Sequence, residues 1–227
     1  MIVPTTVADH AGHQALVFDF DGVLVDSTHI KAEAFAEVYR PLGLDTASLA
    51  QQHFLAHLGV SRRNKFKYCQ TSLTGGPSDP TEIDRLCLQF SKLVVARVLA
   101  AREIPGATDL LLRWHKRLPL YVNSATPDEE LAEILHGRNL SQYFHAAYGS
   151  SRSKTENLAH ILSEKMYDPE RVIFFGDAIS DWIAAKCCGV SFVGITAAPS
   201  SPLLEAGGQF PVCRDLREAA ALLEERA

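Results

Sequence analysis

Val17-Phe18-Asp19-Phe20-Asp21-Gly22-Val23-Leu24-Val25-Asp26-Ser27 decides how the rest of the chain is read. An apolar run ends in two carboxylates spaced i, i+2, with a glycine directly after them. Alternation along a strand puts Asp19 and Asp21 on one side. Gly22 allows a sharp turn, so the pair stands at the carboxyl end of a strand, where open α/β sheets bind ligands. Two acids held that close repel each other unless positive charge lies between them, and a divalent cation supplies it.

Short runs rich in Val, Ile and Phe recur downstream, at 118–122, 145–148, 172–175, 192–195 and 210–212. Segments of helical periodicity separate them, which reads as βαβ units and a doubly wound parallel sheet. Two helix starts carry full signals. Thr126-Pro127-Asp128-Glu129 offers an N-cap, a proline at the first helical position and a capping-box glutamate, and Ser153-Lys154-Thr155-Glu156 repeats the capping box.

Residues 28–103 are different: helical patterns at 30–39, 48–58, 61–72 and 81–101, and no strand signal. In the last of these, Ile83, Leu86, Phe90, Leu93 and Val94 follow the spacing of an amphipathic helix, introduced by Asp79-Pro80-Thr81-Glu82. Gly75-Gly76-Pro77 breaks the segment and Ile104-Pro105-Gly106 leads out of it. The expected organisation is a Rossmann-like core from residues 14–27 and 104–227, interrupted by an all-helical insert at 28–103.

The chain of 227 residues is 47% hydrophobic and 22% charged, with a formal net charge of −5, which fits a globular protein and speaks against nucleic acid as partner. Its one dense basic run, Arg62-Arg63-Asn64-Lys65-Phe66-Lys67, reads as a local helix face. No run of about 18 apolar residues suggests a membrane span. Residues 1–13 lack a signal-peptide pattern and read as a loose leader. Five cysteines with no C-x-x-C pair fit reduced thiols in a cytoplasm. Monomer and dimer are not distinguished.

Four polar positions fall at four successive strand ends: Asp19 with Asp21, Ser124, Lys154, and Asp177 with Asp181 in Gly176-Asp177-Ala178-Ile179-Ser180-Asp181. In this order and spacing, from about Leu16 to Leu223, they resemble the haloacid dehalogenase superfamily. Within it the likeness is to phosphatases with a small helical cap, such as phosphoglycolate phosphatase and β-phosphoglucomutase.

The resemblance implies a hydrolase of small phosphomonoesters. Asp19 would be the nucleophile, forming an aspartyl phosphate, and Asp21 the general acid and base. Mg²⁺ would be held by the Asp19 side chain, the Asp21 backbone carbonyl and Asp177. Lys154 would pair with Asp19 and balance charge, while the Ser124 hydroxyl and backbone N–H groups around Ala125 would hold a phosphoryl oxygen. Asp181 would steady metal waters or Lys154. Asp26 and Ser27 read as structural, with Ser27 capping the first inserted helix.

Gly59-Val60-Ser61-Arg62 resembles the cap motif of β-phosphoglucomutases, which makes a sugar phosphomutase the alternative function. Those mutases carry a histidine twelve residues after the nucleophile, where this chain has Lys31, and a glutamate where it has Gly176. Hydrolysis of a sugar, polyol or similar metabolite phosphate is therefore the favoured expectation. Lys31 and Arg62 are the candidate substrate contacts from the cap, with a solvated helix lysine as the other reading of Lys31.

Overall fold

A computed structural model describes residues 12–206 and 209–225. Of the expected leader at 1–13, only Gly12 and His13 fall among them. Six strands form one parallel sheet: β1 (Ala15–Phe18), β2 (Leu120–Asn123), β3 (Ala146–Tyr148), β4 (Val172–Gly176), β5 (Ser191–Ile195) and β6 (Val212–Cys213). Their order is β3-β2-β1-β4-β5-β6, the doubly wound arrangement expected from the sequence. β1 and β4 lie centrally, covered on both faces, and each is a continuous apolar run.

Alternation sorts the β1 residues onto two cores. Leu16 and Phe18 join Phe175, Leu110 and Leu216 on one face, and Ala15 and Val17 join Phe174, Leu158 and Ala185 on the other. The sixth strand starts two residues later than expected. Pro211 has no N–H for a ladder, so pairing begins after it, and Phe210 packs edge-on against Phe192 instead, 4.8 Å between ring centres.

The insert at 28–103 holds four α-helices: α1 (Thr28–Tyr39), α2 (Leu44–Ala56), α3 (Arg62–Ser72) and α4 (Pro80–Ala100). No strand occurs among the described residues of this insert, which forms a helical cap. α4 starts as its sequence indicates, the Asp79 side chain accepting from the Thr81 amide at 3.1 Å. It buries Ile83, Leu86, Phe90, Val94 and Val98 at the expected spacing. Stacked Phe35 and Phe66, 4.4 Å between centres, with Phe54 and Phe90 around them, form the cap's core.

The remaining helices are α5 (Ala107–Trp114), α6 (Asp128–Gly137), α7 (Lys154–Lys165), α8 (Ile179–Cys188), α9 (Pro202–Glu205) and α10 (Leu216–Glu225). The capping box of α7 is present: Ser153 Oγ accepts from the Glu156 amide, and the Glu156 carboxylate accepts from the Ser153 amide. The start expected at Thr126 is not. α6 begins at Asp128 with Pro127 before it and no side-chain cap, because the Thr126 hydroxyl is engaged elsewhere.

Candidate active site

Asp19 directly follows β1, and its amide donates to the Phe175 carbonyl of β4 at 2.8 Å. The ends of the two central strands are thereby locked together, which brings Asp177 beside Asp19. The Asp19 carboxylate is buried. Its Oδ1 accepts from the Phe20 amide at 2.7 Å, and its Oδ2 lies 2.8 Å from Lys154 Nζ. Lys154 also reaches Asp181 Oδ1 at 2.5 Å, while Asp181 Oδ2 accepts from the Ala178 amide at 3.1 Å. Oxygens of Asp19, Asp177 and Asp181 all lie within 4.8 Å of one another.

One lysine among three carboxylates, those of Asp19 and Asp181 buried and that of Asp177 half-buried, leaves the cluster short of positive charge. Burial pushes the Asp19 carboxyl up to about 7, against the pull of Lys154, and Asp181 and Asp21 add to the rise. Burial, followed by Asp19 and Asp181, raises Asp177 well above the ordinary range. Burial alone would lower the Lys154 ammonium, but Asp181 and Asp19 outweigh it and hold the group charged. Oxygen donors lacking a counter-charge fit a hard divalent cation. Asp19 and Asp181 each have partners for both oxygens, whereas Asp177 accepts only a long bond from Thr28 Oγ1, 3.4 Å to its Oδ2, among the described residues, which makes Asp177 the freest ligand of the three.

Gly22 makes this arrangement possible. Its φ is +77°, and a Cβ there would stand 2.1 Å from an Asp177 oxygen.

Asp21 belongs to a separate network. Its Oδ1 accepts from Ser27 Oγ at 2.6 Å, and its Oδ2 from Lys31 Nζ at 2.6 Å and Thr126 Oγ1 at 3.2 Å. Lys31 Nζ also donates to Thr126 Oγ1 at 2.8 Å. Burial pushes the Asp21 carboxyl up, yet the Lys31 ammonium, with the Ser27 and Thr126 hydroxyls, outweighs it and holds the group below its ordinary value. Two sequence readings are corrected here. Lys31 is not a solvated helix lysine but is buried against Asp21, and Ser27 does not cap α1, because its hydroxyl serves Asp21.

Ser124 follows β2 and is buried. Its Oγ accepts from the Thr126 amide at 3.1 Å, which leaves its own O–H to be donated. Ser124, Ala125 and Lys154 line a cleft that adjoins the Asp19 pocket across Gly59 and Val60. The sequence reading passed over the side chains that position Lys154. Asn123 Nδ2 donates to the Lys154 carbonyl at 2.9 Å, Asn157 Nδ2 bridges Asn123 Oδ1 and the Gly149 carbonyl, and Asp128 accepts from the amides of Gly149 and Ser151. An asparagine inside a fully buried strand was the available signal.

The cap roofs the site. A pocket lies between Asp19, Asp21 and Asp177 below and Phe54, Phe90, Arg62 and Lys65 above. Arg62 is buried with its guanidinium over the Phe90 ring. It donates to Ser91 Oγ and forms a two-pronged pair with Glu130 of α6, joining cap to core. A further cap–core bond runs from Ser180 Oγ to the Leu58 carbonyl at 3.2 Å.

Residues 16–195 match the profile of the haloacid dehalogenase-like hydrolases. Among curated relatives, validoxylamine A 7′-phosphate phosphatase of Streptomyces hygroscopicus subsp. limoneus is 26% identical over 85% of this chain and 90% of its own length. The phosphorylated carbohydrates phosphatase of Thermotoga maritima is 27% identical over 86% and 91%. A phosphoglycolate phosphatase of Pseudomonas putida is 28% identical over 80% and 68%. Among solved structures, a haloacid dehalogenase-like hydrolase of Streptococcus pneumoniae superposes with a TM-score of 0.71 at 21% identity, covering 92% of this chain and 98% of its own. CbbY of Rhodobacter sphaeroides, in complex with phosphate, gives 0.71 at 18% identity, covering 91% and 96%. With a profile match across most of its length and the same fold in solved members, the chain belongs to the haloacid dehalogenase-like hydrolase family.

Proposed function

We propose that this protein is a Mg²⁺-dependent phosphatase that hydrolyses a small phosphomonoester through an aspartyl phosphate on Asp19. The observation that carries the reading is the buried Asp19 carboxylate, held by Lys154 at 2.8 Å beside Asp177 in a pocket roofed by the cap. Asp19 and Asp177, with the Asp21 backbone carbonyl, would hold Mg²⁺, which supplies positive charge between two anions that otherwise repel.

Asp19 Oδ attacks phosphorus, and the bond from phosphorus to the substrate's ester oxygen breaks. The leaving oxygen takes a proton from Asp21. Water then attacks the phosphorylated Asp19 and gives a proton to Asp21, phosphate departs, and the Asp19 carboxylate is restored. Lys154 neutralises charge on the transferring group, and Ser124 Oγ with the Ala125 amide binds its oxygens. In the ionised state that Lys31 favours, Asp21 is ready for the water step.

Residues 14–27 and 104–227 would act as the catalytic unit and 28–103 as the cap that selects the leaving group. Relatives named for phosphorylated carbohydrates and for validoxylamine A 7′-phosphate support a sugar, polyol or similar metabolite phosphate as substrate. Hydrolysis is favoured over phosphomutase chemistry because a Cβ at Gly176 would stand 2.4 Å from Asp181 Cβ, so the glutamate carried there by mutases has no room. We place the enzyme in the cytoplasm on the strength of its free cysteines. Among the described residues, no helix is long and apolar enough to cross a membrane.

The direct test is phosphate release from a panel of phosphomonoesters with Mg²⁺ and with excess chelator. Release that needs Mg²⁺ is expected. Equal release after confirmed metal removal would contradict the reading.

A further inference from the structure

Three cations line the pocket: Lys31, Arg62 and Lys65. Lys31 is neutralised by Asp21 and Arg62 by Glu130. Lys65 is 4% exposed, yet it forms no hydrogen bond and no ion pair among the described residues. The contact its ammonium does make is with the face of Phe54, 3.5 Å from the ring centre. Burying an ammonium without an anion costs several kcal/mol, and one aromatic face returns only a part of that.

The helix itself imposes the position. Lys65 shares the inward face of α3 with Arg62, Phe66 and Cys69, at the i, i+3, i+4, i+7 spacing, whereas Arg63 and Lys67 of the same basic run are exposed. A lysine that only solubilised the cap would sit on their side of the helix.

The negative charge below is already matched. Asp21 has Lys31, the acidic cluster has Lys154 and, on the proposed phosphatase reading, Mg²⁺. On that reading the transferring phosphoryl group binds at the Asp19 end of the pocket, against Mg²⁺, Lys154 and Ser124. Lys65 is left over at the cap end of the pocket.

We propose, resting on that phosphatase reading, that Lys65 is a specificity residue that binds a second anionic group on the substrate's leaving portion. The substrate class is thus a small phosphomonoester that also carries a carboxylate or a second phosphate. Phe54 and Phe90 wall the intervening carbon skeleton. In the free protein the ammonium is pushed down to about 7, by burial first and by Lys31 next, with Lys154 also lowering it and Asp21 and Asp177 opposing. An incoming anion restores its charge.

The test uses two compounds with the same three-carbon skeleton, 3-phosphoglycerate and glycerol 3-phosphate, as competitors of p-nitrophenyl phosphate hydrolysis in Mg²⁺. Competition reports binding whether or not either compound is turned over. A charged hydrogen bond made in the pocket predicts that the wild-type enzyme favours 3-phosphoglycerate by about ten-fold or more. Lys65→Met should abolish that ratio and Lys65→Arg should keep part of it. Lys65→Met should also raise the melting temperature at neutral pH, since it removes an unpaired buried charge, so a folding defect would not be confused with lost recognition. Equal competition by the two compounds in wild type, or a ratio that persists in Lys65→Met, would overturn the proposal while leaving the phosphatase reading intact. No Mg²⁺-dependent hydrolysis of p-nitrophenyl phosphate would overturn both.

Discussion

Lys31 Nζ, on the first cap helix, lies 2.6 Å from Asp21 Oδ2, on the loop that leaves the central strand. The side chain that would move protons in the core is thus tuned by a residue of the cap. Lys31 acts through Asp21 rather than on a particular leaving group, so Lys31→Met should lower turnover of different esters alike, by about ten-fold or more. With the ammonium gone, the Asp21 carboxyl rises towards its ordinary value. The ionised form needed for the water step is then lost at a higher pH, and the acid limb of the kcat profile should move upward. A profile unchanged in shape would mean that Lys31 only holds the cap. Asp21→Asn should cost about 10²–10⁴-fold in kcat.

The Arg62–Glu130 pair is buried at both ends, each side chain 7% exposed. Glu130→Ala leaves a guanidinium without its carboxylate and should destabilise the protein by about 3–5 kcal/mol in denaturant unfolding. Arg62→Met combined with Glu130→Leu should recover much of that loss, because no orphaned charge remains. A double variant as unstable as the single one would show that shape, not charge, decides this contact.

Lys154→Met should leave the sheet intact and reduce kcat by about 10²–10³-fold, as expected when one positive group facing the transition state is removed. Circular dichroism would verify the fold, and retention of a tenth of normal turnover would exclude the role given to Lys154.

Metal dependence should be visible in stability as well as in rate. The Asp19 carboxyl in the metal-free protein is raised to about 7, so the folded state binds more protons than the unfolded one below that value. Its contribution is present at low pH and is lost as the pH rises through about 7. Mg²⁺ competes with those protons and relieves the repulsion when they leave. The rise in melting temperature on adding Mg²⁺ should therefore grow between about pH 5.5 and 8, because binding to the folded state stabilises it. An increment that shrinks over that interval would contradict the cluster as the metal site.

Much of this arrangement was legible in the chain because its signals are local. Asp19, Asp21, Ser124, Lys154 and Asp177 each follow a recognisable apolar run, and a parallel sheet gathers such strand ends along one edge. The capping box at Ser153 and the start of α4 at Asp79 depend on residues two or three apart, and both formed as expected. What the sequence hid depends on distant partners. Thr126 has every feature of a helix cap, yet its hydroxyl is bonded to Lys31, 95 positions away. The basic run was read as one local helix face, with Arg62 as a candidate substrate contact, although Phe66 and Cys69 mark the side of Arg62 and Lys65 as the buried one. Helical spacing alone could have corrected that. The identity of Glu130 as the partner of Arg62 could come only from the packed structure.

The central claim is that Asp19 carries the phosphoryl group, and the most direct measurement traps it there. Enzyme quenched during turnover of a good substrate and reduced with borohydride should contain homoserine at position 19 by peptide mass spectrometry, and Asp19→Asn should yield none. Active enzyme that gives no reduced residue at position 19, or gives it at another carboxylate, would contradict the account.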